Sequence, residues 1–128
     1  MRYLLDTHVM IWMMTDPSKI GRKALNIIED GSNILLWSAV SFWELTVKIS
    51  LGKLSLSSDW VQQLEAEKKG NRILDLSLEW RHCCKHESLP WHHRDPFDRL
   101  LVCQALCEGL SMITKDRHIE KYEAPIIW

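Results

Sequence analysis

Short apolar runs alternate along the chain with longer stretches in which apolar residues recur at helical spacing. The runs have strand length and occupy residues 3–5, 34–37, 73–76, 111–114 and 124–128. The periodic stretches predict helices at residues 7–15, 18–31, 38–51, 58–70, 77–86 and 95–109, and a short helix that ends at residue 122. Buried strands that are separated by helices are typical of a parallel sheet. The pattern therefore predicts an α/β protein.

The dipeptide Asp95-Pro96 is typical of a helix start, because Asp accepts an unpaired backbone N–H and Pro has no such donor to waste. Asp98 then shares a helical face with Leu101 and Val102, so a carboxylate begins an apolar stripe that should face the core. A negative charge near a helix start also complements the helix dipole, which is the purely structural interpretation of Asp98. Its place on an apolar face nevertheless makes Asp98 a candidate functional residue.

Length and composition limit the class of protein. A chain of 128 residues is long enough for one core and too short for two, so we expect a single domain over residues 1–128. No apolar run approaches the length of a membrane span. The N-terminal apolar stretch is too short for a secretory signal, and we expect a cytoplasmic protein. The net charge of −1 gives no general affinity for nucleic acid, so any such binding must use local patches.

Sulfur and imidazole side chains give a weaker signal. Four cysteines lack the spacing of a zinc ribbon or a disulfide framework, and we predict reduced, partly buried thiols at Cys83, Cys84, Cys103 and Cys107. His82 and His86 have the spacing of a zinc-binding pair, but no further ligand motif accompanies them. Neither group points to a particular reaction.

Four acidic residues take related positions in the predicted elements. Asp6 and Asp116 follow strands, while Glu44 and Asp98 lie near the starts of helices that run antiparallel to the strands. In an open parallel sheet these positions share one edge, which is where ligands bind. Carboxylates gathered there repel one another unless cations bind, and oxygen ligands favour hard ions such as Mg²⁺ or Mn²⁺. The sequence therefore predicts a metal site formed by these four acids.

Residues that flank the acids have structural interpretations as well. Glu44 follows Ser41 at the spacing of a capping box, and Lys48 one turn later could form an ordinary ion pair with it. Glu44 also shares a face with apolar residues, where a carboxylate is costly without a partner or a metal. Thr7, next to Asp6, could cap a helix or orient a water through its hydroxyl. These alternatives are compatible with a metal site.

A divalent metal at such a site suits phosphodiester hydrolysis. It polarises a phosphoryl oxygen and activates a water for in-line attack. Basic residues near the same edge could hold the backbone phosphates of a nucleic acid, namely Lys48, Arg94, Arg99 and Arg117. The residues therefore favour a hydrolase that acts on a nucleic acid strand.

Four segments are similar, in order and spacing, to the successive motifs of one enzyme family. They are Leu4-Leu5-Asp6-Thr7-His8, Ser41-Phe42-Trp43-Glu44-Leu45 with Lys48, His93-Arg94-Asp95-Pro96-Phe97-Asp98-Arg99-Leu100-Leu101, and Ile113-Thr114-Lys115-Asp116. Each motif alone is weak, but together they span nearly the whole chain. The sequence resembles PIN-domain ribonucleases, specifically the VapC-type toxins of toxin–antitoxin pairs. It departs from the expected pattern mainly at Cys83-Cys84 and Cys103, which bears on local packing and leaves the acids untouched.

The resemblance implies that the chain is a single PIN domain. Its fold would be a PIN-like α/β/α sandwich with a central parallel β-sheet of four to five strands. It also implies a Mg²⁺- or Mn²⁺-dependent endoribonuclease, homodimers, and a VapB-like antitoxin that blocks the site. The family roles carry over to Asp6, Glu44, Asp98 and Asp116 as catalytic, metal-binding acids. Asp95 lies on the same helical side as Asp98 and could supply a further ligand, although capping is its preferred role.

Other functions fit part of the pattern. The segment Leu4-Leu5-Asp6-Thr7 suggests an aspartate-nucleophile phosphatase, but that chemistry usually needs a second Asp where this chain has His8. A phospho-acceptor receiver domain would need an adjacent acidic pair after the first strand. The main alternative is a catalytically silent PIN-fold module that binds RNA or protein. Packing alone does not require four carboxylates at one edge, so we expect an enzyme that cleaves RNA.

Overall fold

The computed structural model describes residues 1–128 and contains five strands, six α-helices and two short 3₁₀ helices. The strands are β1 (Arg2–Leu5), β2 (Ile34–Ser38), β3 (Ile73–Leu76), β4 (Ser111–Ile113) and β5 (Ile126–Ile127). The α-helices are α1 (Thr7–Thr15), α2 (Arg22–Glu29), α3 (Ala39–Ser50), α4 (Trp60–Gly70), α5 (Trp80–Ser88) and α6 (Pro96–Glu108). The 3₁₀ helices cover Pro17–Lys19 and Ile119–Lys121.

All five strands are parallel and lie in the order β3-β2-β1-β4-β5. The central strand is β1, in which Leu4 lies opposite Leu36 of β2 and Met112 of β4. Parallel pairing requires crossover connections, and helices supply them here. The carboxyl ends of the strands therefore share one edge with the amino ends of the helices that follow them. The parallel sheet predicted from the apolar runs is confirmed, with five strands.

The sheet divides the apolar core into two layers. Tyr3 and Leu5 of β1 pack on one face, where residues of α1, α2 and α4 such as Val9 complete the layer. Leu4 packs on the opposite face with residues of α6 such as Val102. This alternation follows from the geometry of a strand, in which successive side chains point to opposite faces. Helices on both faces produce the α/β/α sandwich that the family resemblance implies.

The structure corrects one predicted helix cap and one predicted helix. Ser38 ends β2 and caps α3, since its hydroxyl accepts the backbone N–H of Val40 at 3.0 Å. Ser41 therefore lies inside the helix, and the capping box predicted from Ser41 and Glu44 is wrong. The helix predicted over residues 18–31 consists of a 3₁₀ turn followed by α2, because Asp16 caps the turn by accepting the N–H of Ser18.

The ends of α6 agree with the prediction. The helix begins at Pro96 with Asp95 as its cap, and Gly109 follows its last residue with a φ of 66°. Glycine suits that left-handed position because a side chain with a Cβ would be strained there. None of the helices combines the length and apolar composition that crossing a membrane requires.

Candidate metal centre at the carboxyl edge of the sheet

The four acidic residues singled out in the sequence lie at the carboxyl edge of the sheet. Asp6 directly follows β1 and occupies the N-cap position of α1, and Asp116 lies in the loop after β4. Glu44 lies in the second turn of α3, and Asp98 in the first turn of α6. The crossover connections thus bring four separate parts of the chain to one place.

Asp6 has an unsatisfied oxygen inside the protein. The residue is only 5% exposed, and Thr114 Oγ1 donates a hydrogen bond of 2.6 Å to Asp6 Oδ2. The other oxygen, Oδ1, has no hydrogen-bond partner. Burial raises the pKa of this carboxyl, and the hydrogen bond from Thr114 only partly offsets the effect. A buried carboxylate oxygen without a partner is costly, and a bound cation would supply the missing interaction.

Glu44 is held in place by two neighbours. Its side chain is buried, Thr7 Oγ1 donates to Oε1 at 2.8 Å, and Lys48 Nζ donates to Oε2 at 2.5 Å. Thr7 is the first residue of α1 rather than its cap, and its side chain is not used in capping. The predicted capping role of Thr7 is therefore wrong, because its hydroxyl is directed at Glu44 instead.

Asp95 and Asp98 have different roles although they lie three residues apart. Asp95 Oδ1 accepts the backbone N–H groups of Phe97 at 2.8 Å and of Asp98 at 3.2 Å, which confirms the predicted cap. Burial raises the pKa of Asp98 to about 8, and the negative charges of neighbouring acids, Asp6 first among them, add to the shift. Asp98 therefore belongs to a crowded group of acids whose negative charges are not fully balanced by nearby positive charges.

His93 joins two of the acids. Its Nε2 lies 2.6 Å from Oδ2 of Asp116 and 3.2 Å from Oδ2 of Asp98. One potential ligand atom from each of the three residues lies within 4.8 Å of the others, so they could share a cation. Burial acts to raise the pKa of Asp116, but hydrogen bonds from His93 and from the backbone N–H of His118 hold it below its usual value.

The predicted group of acids therefore has two parts. Asp98 and Asp116 form the close trio with His93, whereas Asp6 and Glu44 lie outside that trio and act on Asp98 through their charges. The sequence interpretation gave His93 no role. The available signal was the adjacent pair His92-His93 directly before the start of α6.

Arg99 lies inside the protein and not on the surface of the site. Its guanidinium is fully buried and donates to the backbone carbonyls of Pro90 at 2.9 Å and of Leu89 at 3.1 Å. The prediction that Arg99 contacts RNA phosphates is therefore wrong, because its donors hold the loop before α6. The other three basic residues remain accessible: Arg94 and Arg117 are exposed, and the side chain of Lys48 is 31% exposed despite its pairing with Glu44.

The remaining imidazole and sulfur groups are used elsewhere. His82 Nδ1 accepts the backbone N–H of Glu79 and its Nε2 bonds to Glu108, while His86 Nε2 accepts from Arg99. The two rings are engaged separately, so the structure does not support a zinc pair. All four cysteines are free thiols, as predicted, but Cys83 and Cys84 are exposed, so the prediction of partly buried thiols is wrong for these two. Burial raises the pKa of Cys103 to about 11.

The donor groups fit a hard divalent cation. Carboxylate oxygens dominate the site, and one of them, Asp6 Oδ1, is buried without a partner. Oxygen donors suit Mg²⁺ and Mn²⁺, and a single imidazole such as that of His93 is also compatible with Mn²⁺. The chemistry available at this edge is therefore that of a metal-assisted hydrolase.

Comparison with known proteins gives one family match over almost the entire chain. The family model described as PIN domain matches residues 3–125. Among curated proteins, Ribonuclease VapC22 of Mycobacterium tuberculosis is 29% identical over 125 residues, which cover 95% of this chain and 92% of that protein. The match therefore extends well beyond the four short motifs.

Two crystal structures are similar over nearly the whole chain. VapBC2 from Rickettsia felis, bound to a DNA fragment from its promoter, has a TM-score of 0.69 at 14% identity, with 100% of this chain and 98% of that chain covered. DNA-bound VapBC from Salmonella typhimurium has a TM-score of 0.67 at 17% identity, with 99% and 97% covered. At such low identity the likeness concerns the fold, and it confirms the predicted sandwich.

Proposed function

Since the chain belongs to the PIN-domain family, we propose that it is a divalent-metal-dependent endoribonuclease and the toxin of a toxin–antitoxin pair. The observation that carries the proposal is the buried oxygen Asp6 Oδ1, which has no partner and lies in an acidic group. A buried carboxylate oxygen without a partner costs stability, and a bound cation would remove that cost. The similarity to Ribonuclease VapC22 supports RNA as the substrate.

We assign metal binding and catalysis to Asp6, Glu44, Asp98 and Asp116, with Mg²⁺ or Mn²⁺ as the ion. Bound there, such an ion supplies Lewis-acid chemistry, polarising a phosphoryl oxygen and lowering the pKa of an attacking water. Asp98 must give up its proton to serve as a ligand, which the positive charge of a cation favours.

Residues around the acids keep them in position. Thr114 orients Asp6, and Thr7 orients Glu44, so that the two buried carboxylates are fixed before substrate arrives. Lys48 offsets the charge of Glu44. Neighbours that hold ligands in this way typically contribute to metal affinity. We propose that Thr7 is a positioning residue, in place of a water-orienting one.

The accessible basic residues Lys48, Arg94 and Arg117 are proposed to hold RNA phosphates. The net charge of the protein is only −1, so no strong overall field opposes or favours nucleic acid. Local cations beside the acids can position the backbone of a strand without reading its sequence. Asp95 keeps the role of helix cap in this proposal.

We further propose a VapB-like antitoxin as the protein partner, one that covers the acidic edge. The similarity in fold to VapBC complexes supports this partner. The proposal also includes three properties of the protein itself. It forms a homodimer, it consists of a single PIN domain over residues 1–128, and it acts in the cytoplasm, where RNA is available. Light scattering after size-exclusion chromatography, with and without the antitoxin, tests the assembly.

Cleavage of RNA by purified protein tests the proposed activity. Wild-type and Asp98→Asn proteins are incubated with total RNA in Mg²⁺, Mn²⁺ or EDTA, and the new ends are mapped by sequencing. We expect discrete cuts by wild-type protein with either metal, and no cuts in EDTA or by Asp98→Asn. Asp75→Asn is the matched control, because Asp75 is an exposed aspartate paired with Lys68 and should cut normally.

Intact RNA after incubation with folded, metal-binding wild-type protein would contradict the proposal. A stable, uncut complex with RNA in Mn²⁺ would then favour the catalytically silent binding module. Cuts that persist in EDTA would contradict the metal assignment alone.

A further inference from the structure

A cleft of about 300 Å³ opens beside the metal centre. Six residues line it, namely Trp91, His92, His93, Arg94, Asp95 and His118. His93 belongs both to the cleft and to the metal centre, since its Nε2 contacts Asp98 and Asp116. A molecule in the cleft would therefore be separated from the acids by a single side chain.

Trp91 forms an exposed aromatic wall that is braced from behind. The residue is 74% exposed, yet the guanidinium carbon of Arg99 lies 3.5 Å from the centroid of its ring. The ring of His86 meets it at 90°, with the two centroids 6.3 Å apart. Arg99 is itself fixed by its hydrogen bonds to the carbonyls of Leu89 and Pro90. One face of the indole thus rests on a buried cation, while the opposite face is open.

The polar groups of the cleft suit a phosphodiester chain. Arg94 is exposed and carries a positive charge that can meet a phosphate. His118 packs against His93 with their ring centroids 5.5 Å apart, which adds a second aromatic surface. Asp95 is the only acid that lines the cleft, and one of its oxygens is occupied by the cap of α6.

We propose that this cleft binds one unpaired nucleotide of the RNA, next to the cleaved phosphodiester, with its base stacked on the open face of Trp91. The inference rests on the proposed ribonuclease function and deepens it by naming the residues of this chain that would hold one nucleotide beside the cut. Aromatic side chains stack on any base, because every base has a π face. Arg94 binds a phosphate of the same strand at the mouth of the cleft.

Position and chemistry favour a nucleotide over other occupants. A base within an RNA duplex is covered on both faces by its neighbours and cannot stack on Trp91. A protein segment that docked on an exposed Trp would be expected to find an apolar surround, since the cores of protein interfaces are depleted in charge. Here only one of the six lining residues is hydrophobic.

The test measures RNA binding separately from cleavage. Asp98→Asn protein is titrated into short single-stranded RNAs that carry one 2-aminopurine, whose fluorescence is quenched when the base stacks. In this background we expect Trp91→Ala to weaken binding roughly tenfold and to abolish the quenching, from the usual strength of stacking on one aromatic residue. Trp91→Phe keeps an aromatic face and should lose much less. Trp91→Leu, which keeps apolar bulk without a π face, should behave like Trp91→Ala and serves if the alanine variant fails to fold.

Trp80→Ala is the matched control. Trp80 is 78% exposed at the start of α5, and the adjacent Arg81 contacts Glu108, the last residue of α6. Asp98 lies in the first turn of the same helix, roughly 15 Å away along the axis at the usual rise per residue. Removing Trp80 should therefore leave RNA binding and quenching unchanged.

Undiminished RNA binding and quenching in both the Trp91→Ala and Trp91→Leu proteins would overturn the inference. If Trp91→Ala and Trp91→Leu proteins with Asp98 intact escape inhibition of cleavage by the antitoxin, while the same variants in the Asp98→Asn background bind RNA normally, the cleft serves a protein partner and the inference is wrong. The two levels of the proposal fail separately, because metal-dependent cleavage by wild-type protein is measured on its own. A wild-type protein that neither binds nor cuts RNA would overturn both.

Discussion

The imidazole Nε2 of His93 lies 2.6 Å from Oδ2 of Asp116 and ties the loop before α6 to the loop after β4. The same nitrogen lies 3.2 Å from Asp98, so one ring contacts acids from two elements. Buried Arg99 holds the backbone of the first loop through two of its carbonyls. The candidate metal centre is therefore supported by a loop that a buried cation fixes from inside the protein.

Asp98→Asn should stabilise the metal-free protein, and the gain should grow with pH. An unfolded Asp carboxyl ionises near pH 4, whereas burial raises the pKa of Asp98 in the folded protein to about 8. Between these pH values the unfolded chain releases a proton that the folded protein keeps, so the free energy of unfolding falls as pH rises. Asparagine removes this dependence. Urea unfolding in EDTA at about pH 5 and about pH 8 measures it, and a gain that is equal at both pH values would count against the acidic cluster.

Divalent cations should raise the melting temperature of the wild-type protein. A ligand that binds only the folded state stabilises it by about 2.7 kcal/mol at one hundred times its Kd, which is several degrees for a chain of this size. Asp6→Asn should remove most of the shift, because the buried unpaired oxygen belongs to this residue. Asp59→Asn, which changes an exposed aspartate bonded to Ser57, should keep it. Equal shifts in all three proteins would show that the ions bind elsewhere.

Arg99 and Arg94 should respond differently to the same substitution. Arg99→Met leaves the buried carbonyls of Leu89 and Pro90 without donors and should lower the free energy of unfolding by about 3 kcal/mol. Arg94→Met removes an exposed side chain and should change stability by less than about 0.5 kcal/mol, while it weakens RNA binding. Urea unfolding and RNA titration of both variants decide the matter. A stable Arg99→Met protein with weakened RNA binding would restore Arg99 as an RNA contact.

Thr7→Val should weaken metal binding although the threonine is not proposed as a ligand. Its hydroxyl donates to Glu44 Oε1 at 2.8 Å, and the loss of such a support typically lowers metal affinity by about 10- to 100-fold. Thr7→Ser retains the hydroxyl and should recover most of the affinity. Thr15→Val is the control in the same helix, since that hydroxyl bonds only to the backbone of Ile11. Calorimetric titration with Mn²⁺ measures all four proteins, and unchanged affinity in Thr7→Val would remove Thr7 from the site.

Much of the architecture could be predicted from the sequence because it depends on local chemistry. Asp95 and Gly109 mark the ends of α6 through capping, which is a property of a few adjacent residues. The meeting of Asp6 and Glu44 at one edge followed from a general rule for parallel sheets. Neither step required knowledge of how side chains pack.

Contacts between distant segments could not be predicted in this way. Arg99 directly follows Asp98, but consecutive side chains on a helix point about 100° apart. The side chain of Arg99 consequently points into the protein and is buried. The position of His93 depends on a contact with a distant part of the chain. Its backbone N–H donates a hydrogen bond of 3.1 Å to the hydroxyl oxygen of Tyr122. Residue spacing carries no information about such long-range bonds.

The central claim is that the unpartnered oxygen of Asp6 completes a metal centre that cleaves RNA. The most direct measurement follows Mn²⁺ binding, by electron paramagnetic resonance, and RNA cleavage in the same preparations of wild-type and Asp6→Asn protein. We predict that Asp6→Asn folds, loses bound Mn²⁺ and loses cleavage together. Cleavage by folded Asp6→Asn protein at the wild-type rate would contradict the claim.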